Sequence, residues 1–146
     1  MTTISKVTAG RWEHFSHDAD IGVRGYGQTC QCAFKQVALA LSAIVTDPAS
    51  IHLDTSLHIQ CESSDRELLL YKWLNALIFE MSVHHVLFAE FDIELQGSTL
   101  SASARGETVK PDHHRPVVEP KGATLTELAV ERLPDGQWMA QCVIDV

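Results

Sequence analysis

The sequence predicts an α+β fold in which two helices pack on a largely antiparallel β-sheet, with elements in the order β-β-α-β-α-β-β-β-β. Two long segments with apolar residues at helical spacing indicate the helices, and short runs that alternate apolar and polar residues indicate the strands. Turn signals at Gly97 and at Asp135-Gly136 join neighbouring strands as hairpins. A chain of 146 residues can bury one core, so we expect a single domain over residues 1–146.

The first two strands are expected at Trp12–Phe15 and Ile21–Tyr26. The second alternates in the way that is typical of a strand with one buried face. Asp18 and Asp20 fall in the connection or at the start of this second strand. Because residues i and i+2 of an extended segment share a side, these two carboxylates can project together.

The two helices have recognisable beginnings. The first is expected to follow Thr29 as its N-cap and to end at Thr46-Asp47-Pro48, and its apolar stripe is Ala33, Phe34, Val37, Ala38, Leu41, Ile44 and Val45. The second begins at a capping-box pattern, in which the Ser64 side chain accepts from the amide of Glu67 and the Glu67 side chain reaches back to the amide of Ser64. Its stripe is wide, so we expect this helix to be covered on more than one side.

The remaining strands surround and follow the second helix. One is expected at Leu57–Cys61, and a hairpin at Val86–Leu95 and Thr99–Ala104. Residues 105–122 show no periodicity and are predicted to form a long loop. A last hairpin is expected from Ala123–Glu131 and Gln137–Val146.

Composition excludes several classes of protein. The net charge of −8 argues against direct nucleic-acid binding, which needs clustered Lys and Arg, and favours docking to a basic protein partner. Four scattered cysteines are expected to stay reduced. Residues 1–10 lack the basic and apolar regions of a secretory leader, and no run is long enough to span a membrane. We therefore expect a cytoplasmic protein that does not contact a membrane.

Acidic groups gather at two points of the sequence. The chain finishes with Val143-Ile144-Asp145-Val146, which places the Asp145 carboxylate next to an α-carboxylate. If this strand lies beside Asp18 and Asp20, as many as four carboxylates meet at one sheet edge, a hard oxygen set that suits Ca²⁺, Mg²⁺ or Mn²⁺. The alternative is that Asp18 and Asp20 are hydrogen-bonded turn residues and Asp145 is a solvated end residue.

The histidines and known catalytic patterns give little support to an enzyme. His14 and His17 are spaced to lie on opposite faces of a strand, and His113-His114 are expected in a solvated loop. No GxSxG, P-loop, HExxH or GxGxxG element is present in the sequence, and no nucleophile–base pair can be identified. We predict no catalytic residue and no self-sufficient enzyme.

The segment from His17 to Gly27, HDADIGVRGYG, resembles the H-T-A-D-I-G-I-x-x-x-G opening of the archease family. Further landmarks follow in the family's order: residues 38–47, the helix LLLYKWLNALI, Gly106-Glu107 and the final Ile144-Asp145-Val146. The resemblance implies a small protein that assists a GTP-dependent, RtcB-type RNA ligase in joining RNA ends. Such proteins promote guanylylation of the ligase and its repeated turnover, and do not themselves form the bond.

The resemblance also implies a metal site. Asp20 and Asp145 match the family's metal-binding aspartates, and Val146 contributes its α-carboxylate to a divalent cation, expected to be calcium, with magnesium or manganese as alternatives. Asp18 stands where the family usually has Thr, and is an additional outer ligand or a surface group. Residues 121–126 depart from the family's K-A-V-T-Y-H pattern, because Tyr and His are missing.

Two other functions remain open at this point. A metal-dependent phosphoester hydrolase would need an open coordination position and a general base such as His17 or His114. A chaperone-like interaction module would use the carboxylates for structure alone.

Overall fold

Two antiparallel sheets and the helices that cover them make up the part of the chain that the computed structural model describes, residues 10–116 and 118–146. Its strands are β1 (Arg11–His17), β2 (Asp20–Gly27), β3 (Thr55–Glu62), β4 (Val86–Gln96), β5 (Thr99–Thr108), β6 (Gly122–Ala123), β7 (Ala129–Arg132) and β8 (Trp138–Asp145). Its helices are α1 (Cys30–Val45), α2 (Arg66–His84) and α3 (Pro111–His114), with a 3₁₀ turn at Pro48–Ser50. The first nine residues, on which the expectation of no leader depends, lie outside this description.

The first sheet has the strand order β1-β2-β8-β6, and β7 pairs with the other half of β8. The second sheet has the order β3-β5-β4. All the pairings are antiparallel. The predicted α+β class is confirmed, although the strands are divided between two sheets.

Helix α1 explains this division. Ala33 and Val37 face β2, whereas the Ser42 hydroxyl donates to Phe88 O of β4 at 2.6 Å. Ten of its sixteen residues are buried. A helix that is apolar on more than one side needs cover from more than one layer, and a second sheet provides it.

Two predicted boundaries are wrong. The strand expected over 123–131 is interrupted after Ala123, because Thr124 donates its hydroxyl to Val143 O at 2.9 Å and starts a turn. The loop expected over 105–122 begins only after Thr108, since β5 continues that far, and contains α3.

The helix N-termini differ in how well their caps were predicted. Thr29 caps α1 as expected, and its hydroxyl accepts from Cys32 N at 3.1 Å. For α2 the predicted Ser64–Glu67 box is wrong. Asp65 is the cap and accepts from the amides of Glu67 and Leu68, while the Glu67 side chain accepts from Val130 N at 3.2 Å and ties the helix to β7.

The core lies between α1, α2 and the two sheets. Its large side chains include Phe34, Trp73 and Phe91, all at most 1% exposed. The indole of Trp73 packs edge-on against Phe91, with ring centroids 5.8 Å apart, and donates to Phe34 O at 3.2 Å. The two helices are thereby joined inside the core. No helix among the described residues is long and apolar enough to cross a membrane.

Helix α1 lies unusually close to β2 at Gly25. A Cβ at this position would overlap backbone atoms of Ala33 and Val37. The strand can therefore approach the helix only where residue 25 has no side chain.

We expect Gly25→Ala to destabilise the fold by at least about 2 kcal/mol, because backbone atoms cannot move aside as a flexible side chain can. Urea unfolding followed by circular dichroism measures this. Gly122→Ala is the matched control, since a Cβ there would meet only Asn75 Oδ1 at 3.7 Å. Equal losses in the two variants would contradict the close-approach argument.

Candidate functional site

The hairpin β1–β2 and strand β8 bring two of the predicted metal ligands to the same end of the first sheet. Ile21 pairs with Ile144, so the next residues along, Asp20 and Asp145, lie across from each other. The same face carries Arg24, whose Nε donates to Gln141 Oε1 at 2.7 Å, and it is the face opposite α1. Asp20 and Asp145 therefore share the outer face of the sheet.

Val146 completes this arrangement. Its backbone amide donates to Asp20 Oδ1 at 3.4 Å. On the other flank of β8, Gly122 pairs with Asp145, and Lys121 N donates to Asp145 O at 2.7 Å. The end of β8 is thus held on both sides by backbone, which fixes where the two carboxylates emerge.

The carboxylates at this end fit an oxygen-ligated divalent cation. Like charges directly across a strand pair repel each other, and neither Asp20 nor Asp145 forms an ion pair with a side chain of the described residues. Asp145 is exposed and Asp20 is half-buried, so a hydrated ion can reach both. Oxygen donors alone favour calcium, magnesium or manganese over zinc.

Asp18 is placed differently from the expectation. Its backbone has a left-handed conformation, with φ of 52°, in the turn between β1 and β2. The extended segment that would align it with Asp20 is therefore absent. Its side chain is 92% exposed and lies 3.9 Å from His17 Nδ1.

The predicted separation of the first two histidines is confirmed. His14 turns toward α1 and donates from Nε2 to Ala40 O at 2.8 Å. His17 pairs with Asp20 in the register of β1 and β2, so it lies on the outer face. Of these two histidines, His17 is the one that shares the outer face with Asp20.

A second cluster, which the sequence did not predict, surrounds Glu107 at the end of β5. The residue is only 1% exposed. Its Oε2 accepts from His52 N at 2.6 Å and from His114 Nε2 at 3.0 Å, and Lys110 Nζ lies 3.1 Å from Oε1. The hydrogen bond from the His52 amide, opposed by burial and helped by His114 and Lys110, lowers the pKa of Glu107 to about 2. The surrounding donors therefore keep this buried carboxylate ionised and offset the cost of burying its charge.

His114 is a structural partner of this carboxylate. It is buried, its Nδ1 accepts from Lys110 N at 2.9 Å, and Nε2 is consequently the donor to Glu107. Its carbonyl accepts from the Thr46 hydroxyl at 2.6 Å, which ties α3 to the end of α1. The expectation of a solvated loop is wrong for this residue. Two features of the sequence could have indicated this cluster. Pro111 is a residue typical of a helix start, and Gly106-Glu107 is one of the landmarks shared with the archease family.

The chain is similar to the members of one known protein family. The sequence model of the Archease protein family (MTH1598/TM1083) matches residues 12–146. Protein archease of Pyrococcus furiosus is 39% identical over 140 residues, which cover 93% of this chain and 99% of that protein. Protein archease of Sulfolobus acidocaldarius is 33% identical over 138 residues, with coverage of 93% and 99%.

Two solved structures have similar folds. The solution structure of Methanobacterium thermoautotrophicum protein 1598 superposes with a TM-score of 0.81 at 29% identity, covering 92% of this chain and 98% of that one. A Thermotoga maritima crystal structure, described as an archease and possible chaperone, has a TM-score of 0.59 at 20% identity, with coverage of 92% and 96%. The second likeness concerns the fold alone.

We expect Glu107→Gln to lower the free energy of unfolding by about 2 kcal/mol at neutral pH, because the charged acceptor for His52 N and His114 is lost. The folded-state pKa of about 2 lies below the ordinary value of 4.5, so this stabilisation is present above pH 4.5 and is lost as the pH falls toward 2. Unfolding titrations of both proteins across this range measure the difference. A difference that does not shrink at low pH would contradict the assignment.

Proposed function

This chain belongs to the archease family, and from that premise we propose that it is a non-enzymatic activator of a GTP-dependent, RtcB-type RNA ligase in tRNA splicing and RNA repair. In this proposal it promotes guanylylation of the ligase and allows the ligase to turn over repeatedly. The observation that carries the proposal is the pairing of Ile21 with Ile144, which brings the adjacent Asp20 and Asp145 to one sheet end, in a chain that matches the family over residues 12–146.

The proposed site for a divalent cation, calcium in the first place, consists of Asp20, Asp145 and the α-carboxylate of Val146. The amide of Val146 already contacts Oδ1 of Asp20, and Oδ2 accepts no hydrogen bond from the described residues. A bound cation would supply positive charge that offsets the repulsion between the carboxylates. Asp18, on its exposed turn, is an outer group in this proposal.

Charge supports a protein partner over a nucleic acid. The chain carries a net charge of −8, and the ligase surface that binds RNA and GTP must be basic. An acidic edge is complementary to such a surface and speeds association with it. The proposal places this encounter in the cytoplasm and needs no direct contact between this chain and RNA.

A hydrolase needs a general base, and His114 in the Glu107 cluster does not supply one. Both ring nitrogens of His114 are used by Lys110 N and Glu107, so this histidine is not available as a general base. Of the two general bases considered for a hydrolase, only His17, which pairs with Asp20 in the register of β1 and β2, is left.

We expect Asp145→Asn to abolish stimulation of multiple-turnover RNA ligation by the ligase of the same organism, and to lower the level of guanylylated ligase. Asp145 is exposed, so the variant should fold normally. Asp20→Asn should have the same effect, because both oxygen sets face one site. The assay compares ligation with and without each protein, at equal concentrations of ligase, GTP and RNA.

Asp54→Asn is the matched control, an exposed aspartate on a different segment, and it should stimulate like the wild type. Asp18→Asn decides whether Asp18 contributes, and we expect nearly full stimulation. Full stimulation by the Asp145 variant would contradict the role of the carboxylates. Absence of stimulation by the folded wild type would contradict the function itself.

We expect residues added after Val146 to weaken calcium binding at least tenfold, because a peptide carbonyl would replace the α-carboxylate. Isothermal titration with Ca²⁺ compares this protein with one extended by the same residues before Met1. Equal affinities would contradict the assignment of Val146 as a ligand.

A further inference from the structure

Two exposed imidazoles lie over the Glu107 carboxylate. One ring nitrogen of His52, one of His113 and one oxygen of Glu107 all lie within 4.8 Å of one another. The two rings are stacked, with centroids 5.5 Å apart and an interplanar angle of 26°. This group belongs to α3, β5 and the segment before β3, and shares no residue with the Asp20–Asp145 end of the first sheet.

The two oxygens of Glu107 have different surroundings. Oε2 accepts two hydrogen bonds, from His52 N and His114 Nε2, and its capacity is largely used. Oε1 is buried and accepts no hydrogen bond of good geometry from the described residues. Its charged neighbours are Lys110 Nζ at 3.1 Å and His52 Nδ1 at 3.7 Å. A carboxylate with one oxygen anchored by the protein and the other facing only a mobile ammonium group can exchange that ammonium group for a metal ion.

His113 is oriented in the same way. Its Nε2 donates to Ser50 O at 2.7 Å, and this bond leaves the lone pair on Nδ1 in the neutral ring. A backbone carbonyl that holds one ring nitrogen in this manner commonly supports a histidine that ligates a metal with the other. His52 is held at its backbone by Glu107, while its side chain is 66% exposed and can rotate.

We propose that His52, Glu107 and His113 form a second metal site, which takes a divalent transition metal that prefers imidazole, Zn²⁺ in the first place. Two histidines and one carboxylate are a known three-ligand set for zinc, and leave a coordination position to water. Bonds of about 2.1 Å place the ligand atoms of a tetrahedral site about 3.4 Å apart. Rotation of the two exposed rings closes the present separation.

Lys110 competes with the metal. Its Nζ lies 3.1 Å from Oε1, in the region that the cation would occupy, and its side chain is 57% exposed. The ammonium can therefore move into water when a metal binds. Removing it should strengthen metal binding, whereas a lysine that only stabilises the fold would have no such effect.

Titration calorimetry with Zn²⁺ on the chelator-treated full chain tests the proposal, and absorption of bound Co²⁺ reports the geometry. We expect one zinc per chain, at least tenfold weaker binding in His52→Gln and in His113→Gln, and severalfold tighter binding in Lys110→Met. His58→Gln, which removes an exposed histidine on β3, should bind like the wild type. Glu107 is left unchanged, because its loss destabilises the fold.

Two further variants test whether zinc binds through side chains outside this site. Cys32→Ser should leave zinc affinity unchanged, and so should Asp145→Asn, which affects only the calcium site proposed above. Zinc binding that persists at full strength in the His52 and His113 variants, or that is lost in the Cys32 variant, overturns the proposal. The same holds if the Asp145 variant loses zinc.

Discussion

The close contact between α1 and the first sheet is the constraint on which the rest of the structure depends. Gly25 allows the backbones of β2 and α1 to meet, and His14 bonds to Ala40 O from the neighbouring strand. On its other side α1 is tied to β4 through Ser42. Because one helix sets the position of both sheets, the ends of β2 and β8, with their aspartates, are placed by packing that lies well inside the core.

Burial and charge are balanced differently at the two acidic places. Glu107 is fully buried, and an isolated charge there would cost several kcal/mol, so the fold surrounds it with an amide, an imidazole and an ammonium group. Asp20 and Asp145 lie where water reaches them, so their charges are screened, and among the described residues only the Val146 amide donates to either carboxylate. Glu107 thus holds neighbouring segments of the fold together, whereas the oxygens of Asp20 and Asp145 are available to bind a ligand.

Periodicity was sufficient to predict most of the elements. Thr29, the apolar stripes and the Gly97 turn act through local chemistry, so the first helix and the β4–β5 hairpin could be located from sequence. The α2 cap and the break after Ala123 could not, because each depends on a distant partner, Val130 for Glu67 and Val143 for Thr124.

The same limit applies to the sites. The meeting of Asp20 with Asp145 was expected from family resemblance and from an assumed strand order. The cluster at Glu107 was missed, because His52 and His113 are 61 positions apart in sequence and nothing local relates them. Only the fold brings such residues together.

An interior strand of the first sheet, β8, comes after all the other described strands along the chain. Residue 21 pairs with residue 144, whereas the β4–β5 hairpin closes across a two-residue turn. Proteins are synthesised from the N-terminus, so the second sheet can form while β2 still lacks its neighbour. Until β8 is synthesised and pairs with β2, the apolar surfaces of Val23 and α1 stay partly exposed. A product of synthesis that stops before β8 would therefore leave β2 as an open sheet edge, and open edges pair with other chains.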